Sequence, residues 1–215
     1  MKTVILCGGL GSRLSEETKV KPKPMIKIGN KPILCHIINL YEHYGFDQFI
    51  FALGYKSQII KQFFGDKKKF SKIKLVNTGK NTMTGGRLLR LKKYFKKNET
   101  FMLTYGDGLS SQNIKKLVNF HKTHKKIATM TAVRPPARFG ELKLIANKVS
   151  KFEEKPQVSS SWINGGFFVF NSEIFDFIKD DQTMLEREPL EKLAKIGELV
   201  AFKHYGFWQC MDTMR

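Results

Sequence analysis

Cysteine is scarce in this 215-residue chain, and the three present, Cys7, Cys35 and Cys210, are widely spaced and odd in number. That excludes a disulfide framework, and the lack of any CxxC pair excludes a zinc finger or ribbon. The five histidines, His36, His43, His121, His124 and His204, show no metal-ligand spacing. No apolar run approaches the ~18 residues of a membrane span. The N-terminus offers one basic residue, Lys2, before a short apolar stretch that runs straight into Gly8-Gly9, which is too short for a secretory signal. The expectation is a cytoplasmic protein without a membrane partner, whose cysteines behave as small hydrophobes.

Acidic residues are the other shortage, 19 against 38 Lys plus Arg, for a formal charge of +19. Such an excess attracts polyanions, phosphorylated substrates among them. The lysines are spread along the chain, densest at Lys67-Lys68-Lys69, so the charge alone leaves open both a solvated surface and a polyanion footprint. No nucleic-acid motif accompanies it, and nucleic acid is not expected as a partner. Apolar residues at 41% and charged residues at 27% exclude collagen, coiled coil and wholesale disorder. The length suits one domain with a core of its own.

Along the chain, Thr3–Cys7 reads as a buried strand that stops at the turn Gly8-Gly9-Leu10-Gly11-Ser12-Arg13. Leu34, Ile37, Ile38 and Tyr41 have helical spacing, with Pro32 near the start and Gly45 as a stop. Gln48–Leu53 predicts a strand, Ser57–Phe64 a helix, Ile73–Asn77 an extended segment and Arg87–Phe95 a helix. Thr100–Tyr105 is a strand running into Gly106-Asp107-Gly108; a helix around Ile114–His121 and a strand at Ala128–Val133 follow. This alternation predicts a three-layer α/β fold, its sheet mostly parallel with helices on both faces. After Pro135-Pro136 the rhythm changes: Leu142–Ile145 and Val149–Glu153 predict a small antiparallel elaboration. A strand at Gly166–Phe170, a helix at Glu188–Ile196 and a strand at Leu199–His204 complete the reading. It gives one domain, 1–215, whose second half, 135–215, elaborates the first, 1–134.

In an open α/β sheet, ligands bind beyond the carboxyl ends of the strands. Two loops fall there. The glycine turn after the first strand can bring backbone N–H groups close to an anion, but it lacks Gly-Lys-Ser/Thr, and Leu14 stands where a third dinucleotide-fold glycine belongs. Arg13, Lys21 and Lys23 close by would neutralise a triphosphate, with Lys23 held on a backbone stiffened by Pro22 and Pro24. Asp107, between two glycines at a strand end, suits either a hard cation such as Mg²⁺ or an Asx-turn. Asp212 alone reads equally as a helix N-cap.

Taken together, Gly8-Gly9-Leu10-Gly11-Ser12-Arg13-Leu14, Lys23, Gly106-Asp107-Gly108, Glu154-Lys155-Pro156 and Asn164-Gly165-Gly166 stand in the order of the sugar-1-phosphate nucleotidyltransferases, which the chain resembles along essentially its whole length. Met83-Thr84-Gly85-Gly86-Arg87, Trp162-Ile163-Asn164-Gly165-Gly166 and Phe207-Trp208-Gln209-Cys210-Met211-Asp212-Thr213 bring it nearest to the branch that transfers a cytidylyl group from CTP to glucose 1-phosphate. The resemblance implies a Rossmann-like nucleotidyltransferase fold, with 1–134 mainly the nucleotide-binding half and 135–215 mainly the sugar-phosphate-binding half, and attack of the sugar phosphate on the α-phosphorus of CTP, assisted by Mg²⁺. It implies that Leu6, Cys7, Gly8, Gly9, Leu10, Gly11, Ser12 and Arg13 wrap the nucleotide, that Lys23 and Arg13 act on its phosphates, and that Thr82, Arg87 and Gly106 lie against it. Lys155, Asn164 and Gly165 would hold the sugar phosphate, and Asp107 with Asp212 would hold the metal. By the same resemblance the product feeds deoxysugars of surface polysaccharides. Transfer from dTTP or UTP, or a truncated inactive homologue, remains open at this point. Two departures stand out: the 64–73 segment is shorter than in this branch, weakening the expected homo-oligomer, and the family's C-terminal helical segment has no counterpart after Arg215.

Overall fold

In the computed structural model, residues 1–9, 11, 18–66, 68, 70–135, 141–153 and 161–211 are described. In chain order the regular elements are β1 (Lys2–Cys7), β2 (Lys27–Ile28), β3 (Lys31–Pro32), α1 (Ile33–His43), β4 (Gln48–Leu53), α2 (Ser57–Phe64), β5 (Ile73–Asn77), α3 (Thr84–Leu89), β6 (Thr100–Tyr105) and β7 (Gly108–Ser110). Then come α4 (Ile114–His124), β8 (Ala128–Val133), β9 (Glu141–Ile145), β10 (Lys148–Glu153), β11 (Ile163–Asn171), α5 (Glu188–Lys195), β12 (Leu199–His204) and β13 (Trp208–Cys210). Short 3₁₀ turns cover Lys23–Met25, Lys92–Tyr94 and Ser172–Phe177.

Seven strands form one sheet in the order β12-β8-β11-β6-β1-β4-β5. All run parallel except β11, which is antiparallel to both β6 and β8. The sheet carries strands from both halves of the chain. Its interior strand β1 is buried on both sides, as an apolar run without alternation requires: Ile5 and Cys7 enter one core, Val4 and Leu6 the other. The first core is closed by α1, α2 and α4 through Leu34, Ile37, Ile60, Phe64, Leu117 and their neighbours. The second is closed by Leu88 of α3, Ile174 and Phe175 of the 3₁₀ turn, and Leu190 and Leu193 of α5. Asn113 caps α4 by accepting a hydrogen bond from the Lys116 N–H at 3.0 Å.

The chain passes from β1 out to β4 and β5, then returns to the other side of β1 as β6. The loops leaving β1 and β6 therefore diverge, and the crevice between them is the switch point of the sheet. The short strands β2, β3, β7 and β13 were not predicted, and one predicted helix differs in its bounds. The helix expected over Arg87–Phe95 begins earlier, at Thr84, and ends at Leu89. Gly85 and Gly86 lie within this helix, and the backbone of 181–183 packs against them: a Cβ at Gly86 would meet the Asp181 carbonyl at 2.4 Å. Among the described residues, no helix is long and apolar enough to cross a membrane, and all three cysteines are free thiols.

Candidate active site

A cavity of about 690 Å³ opens at this switch point. Leu6, Cys7, Gly8, Gly9 and Gly11 line it from the β1 side, Thr82 and Arg87 from the loop and helix after β5, and Gly106 and Asp107 from the end of β6. Lys23 closes it from below. Residues separated by up to a hundred positions thus share one wall, as expected of the nucleotide half. Leu10, Ser12, Arg13, Lys155 and Asp212 lie outside the described residues.

Lys23 sits in the 3₁₀ turn that Pro22 and Pro24 nucleate, where the Met25 N–H donates to the Pro22 carbonyl at 2.8 Å. Its ammonium group donates to Asp107 Oδ2 at 2.5 Å, and both side chains are largely buried. Phosphate contact and metal ligation were expected of these two side chains separately; the structure pairs them. Asp107 Oδ1 accepts no hydrogen bond from the described residues. One carboxylate lining the cavity, with an oxygen to which no described residue donates, fits Mg²⁺, which is usually held by one or two carboxylates plus substrate phosphates and water. The backbone adds a second indication: the Met211 N–H donates to the Asp107 carbonyl at 2.8 Å, so the residue before Asp212 is tied to Asp107 itself. No cluster of three or more acidic, His or Cys ligands exists among the described residues, so the donor set is sparse, and substrate phosphates would have to complete it.

Arg87 differs most from expectation. Its guanidinium is buried and spent on the protein itself. Nη1 donates to Leu53 O at 3.3 Å, Thr78 Oγ1 at 2.9 Å and Gly79 O at 2.6 Å, and Nη2 donates to Gly8 O at 2.8 Å and Lys80 O at 3.3 Å. Three loops are pinned by one side chain, whose planar fork suits several acceptors at once. Gly8 is glycine because the guanidinium lies where its Cβ would stand, 2.2 Å from Nη1. Burial, and then repulsion from Arg90, lower the Arg87 pKa, yet a guanidinium stays charged. Arg87 thus borders the cavity but acts by shaping the glycine turn. Behind that turn, burial raises the Cys7 thiol pKa well above its ordinary value, so the thiol stays protonated and packs.

Asn164 and Gly165 stand one side chain behind the wall. Asn164 Oδ1 accepts the Gly166 N–H at 2.8 Å, which leaves its Nδ2 to donate to Tyr105 Oη at 3.3 Å. The Tyr105 hydroxyl then donates to Glu186 Oε1 at 2.6 Å, while Thr84 Oγ1 donates to Glu186 Oε2 at 2.6 Å. Tyr105, Thr84 and Glu186 all line the cavity. Burial first, then the Glu186 carboxylate, raises the Tyr105 pKa above its ordinary value, so this relay holds its proton on the tyrosine. The sequence reading missed Glu186 and Tyr105. Glu186 is an exposed acid in a turn with no local signal; Tyr105 could have been flagged as the strand-end residue before Gly106-Asp107.

Residues 2–208 match the family model described as nucleotidyl transferase. The chain belongs to the nucleotidyl transferase family. This nucleotidyltransferase is 48% identical, over 237 aligned residues, to the glucose-1-phosphate cytidylyltransferase of Salmonella typhimurium, with 100% of this chain and 92% of that protein covered. It is 30% identical to mannose-1-phosphate guanylyltransferase 1 of Arabidopsis thaliana, covering 62% of that longer protein. Among solved structures, HddC from Yersinia pseudotuberculosis superposes with a TM-score of 0.76 at 26% identity, covering 99% of this chain and 94% of that one. The fold match and the family agree with the cavity's position at the switch point.

Proposed function

We propose that the protein transfers a cytidylyl group from CTP to α-D-glucose 1-phosphate, giving CDP-glucose and pyrophosphate. The observation that carries this reading is the convergence of the glycine turn, Lys23 and Asp107 on one cavity wall, in a chain 48% identical along its whole length to a glucose-1-phosphate cytidylyltransferase. In the reaction a phosphate oxygen of the sugar phosphate forms a bond to the α-phosphorus, and the bond from that phosphorus to the β-bridging oxygen breaks as pyrophosphate leaves. The nucleophile is already an anion near neutral pH, so no general base is required; of the described lining residues, Cys7 stays a protonated thiol and Tyr105 holds its proton.

What the chemistry needs is alignment of two mutually repelling anions and relief of charge that builds on the phosphates. Gly8, Gly9 and Gly11, held in shape by Arg87, give the nucleotide a close backbone wall. Lys23 presents a cation at the phosphates, with Arg13 as its proposed companion. Asp107, with Asp212, would hold Mg²⁺, which when bound withdraws charge from the phosphate oxygens. Lys155 is proposed for the sugar phosphate and Asn164 with Gly165 for the sugar. The same reading places the protein in the cytoplasm with small-molecule substrates, as a homo-oligomer weakened by its short 64–73 segment. The test is pyrophosphate release from each nucleoside triphosphate in turn, with glucose 1-phosphate and Mg²⁺ present. Release selective for CTP is the expected result. Equal or greater release with dTTP or UTP would overturn the base assignment, and silence with every triphosphate would overturn the activity.

A further inference from the structure

The strand β13 touches both halves of the site although none of its residues lines the cavity. Its three residues pair antiparallel with β7, Trp208 with Ser110 and Cys210 with Gly108, immediately after Asp107 in the chain. The ladder continues past both ends: the Ser111 N–H donates to the Phe207 carbonyl at 2.9 Å, and the Met211 N–H to the Asp107 carbonyl at 2.8 Å. From the first residue of this strand, the Trp208 indole N–H donates to the Gly165 carbonyl at 2.7 Å. Gly165 belongs to a bulge in β11, where the register against β8 slips between Asn164 and Phe168. A bulge interrupts the sheet ladder and leaves backbone groups without strand partners; here the indole supplies the missing donor. The fit is close, since a Cβ at Gly165 would stand 3.0 Å from the Thr131 carbonyl and 3.5 Å from the indole nitrogen.

We infer that Trp208 is a positioning residue for the sugar phosphate, acting through the Gly165 carbonyl to fix the Asn164 amide relative to Asp107. This deepens the transferase reading above and rests on it. One end of the strap is bonded to the residue proposed for the metal and the other to the bulge proposed for the sugar, so their separation is set by a short rigid ladder. The nucleotide wall is built from other loops, held by Arg87, and does not depend on the indole.

Trp208→Phe removes the indole N–H and keeps an aromatic ring against the core. Losing one hydrogen bond of ordinary strength predicts a rise in KM for glucose 1-phosphate of about 3- to 10-fold, with KM for CTP and the melting temperature close to wild type. A second readout needs no substrate: hydrogen exchange over 163–167 should be faster in the variant, because the Gly166 N–H is held by the Asn164 side chain. Unchanged KM for the sugar phosphate overturns the inference, and so does an equal rise for both substrates with a lowered melting temperature, which would make Trp208 merely structural. If the wild-type protein releases no pyrophosphate, the transferase reading fails instead, and exchange alone decides: faster exchange in the variant supports the tie, and equal exchange overturns it.

Discussion

The two halves of the cavity are held together in different ways. On the nucleotide side a buried guanidinium gathers oxygens from three loops and occupies the space that a side chain at Gly8 would need. On the sugar side the support is one indole bond, one asparagine–tyrosine bond and a three-residue ladder. Buried, multiply bonded groups are expensive to leave unpaired, so the first half is fixed as part of the fold itself. The second hangs on few bonds, each of which can be changed without dismantling the core. On the proposed site assignment, sugar recognition is accordingly the property that substitution can tune, whereas the nucleotide wall resists it.

The comparison can be broken most severely at Asp107 and Lys23, which belong to neither scaffold but face the reaction. Lys23→Ala should lower turnover by about 10²- to 10³-fold, the range for losing one preorganised charge-stabilising donor, with circular dichroism unchanged; near-normal turnover would remove Lys23 from the mechanism. Next comes Arg87→Ala, which leaves Gly79 and Lys80 carbonyls without their guanidinium donor. It should cost about 2–4 kcal/mol, a fall in melting temperature on the order of 10 °C for a chain of this size, together with weaker CTP binding. A melting curve that superposes on wild type would show that the clamp is dispensable. Smaller still is Glu186→Gln, which replaces an acceptor of two hydroxyl protons with a group that both donates and accepts. A few-fold rise in KM for one substrate or the other is expected, and steady-state kinetics with each substrate varied would show whether the relay serves the sugar side.

The smallest effect lies away from the site and provides a control. The Lys126 N–H donates to His124 Nδ1, so the His124 Nε2–H donates to Thr129, whose hydroxyl is left to donate to His121 Nδ1. Both rings are therefore neutral, and burial lowers both pKa values. Repulsion from Lys126 adds to the effect at His124, and the Asn171 hydrogen bond opposes it at His121. Below the ordinary histidine value of about 6.5 the unfolded chain binds protons that the folded chain does not, so this contribution is complete above that pH and declines as pH falls toward the depressed folded values. Melting temperature should drop between pH 7 and pH 5.5, and a flat profile would show that the network carries no linkage.

Much of the fold could be read from the residues. β-Branched and apolar runs at Thr3–Cys7, Gln48–Leu53 and Ala128–Val133 announce strands because a sheet buried on both faces tolerates little else. The start of α3 could not be read, because Gly85 and Gly86 answer to the chain packed against them, a contact about a hundred residues away in sequence. β7 and β13 escaped for a related reason: three-residue strands carry no periodicity, and only their mutual pairing defines them. In the site, Lys23, Asp107 and the glycine turn were visible from local chemistry. Arg87 was expected against the nucleotide, but which oxygens its guanidinium binds is a long-range matter, as is the Glu186 relay.

The most direct test of the central claim is pyrophosphate release by Asp107→Ala beside wild type, with CTP, glucose 1-phosphate and Mg²⁺ all present and CTP binding measured in parallel. The account predicts turnover reduced by orders of magnitude in a variant that remains folded and still binds CTP. Turnover at the wild-type rate would contradict it outright.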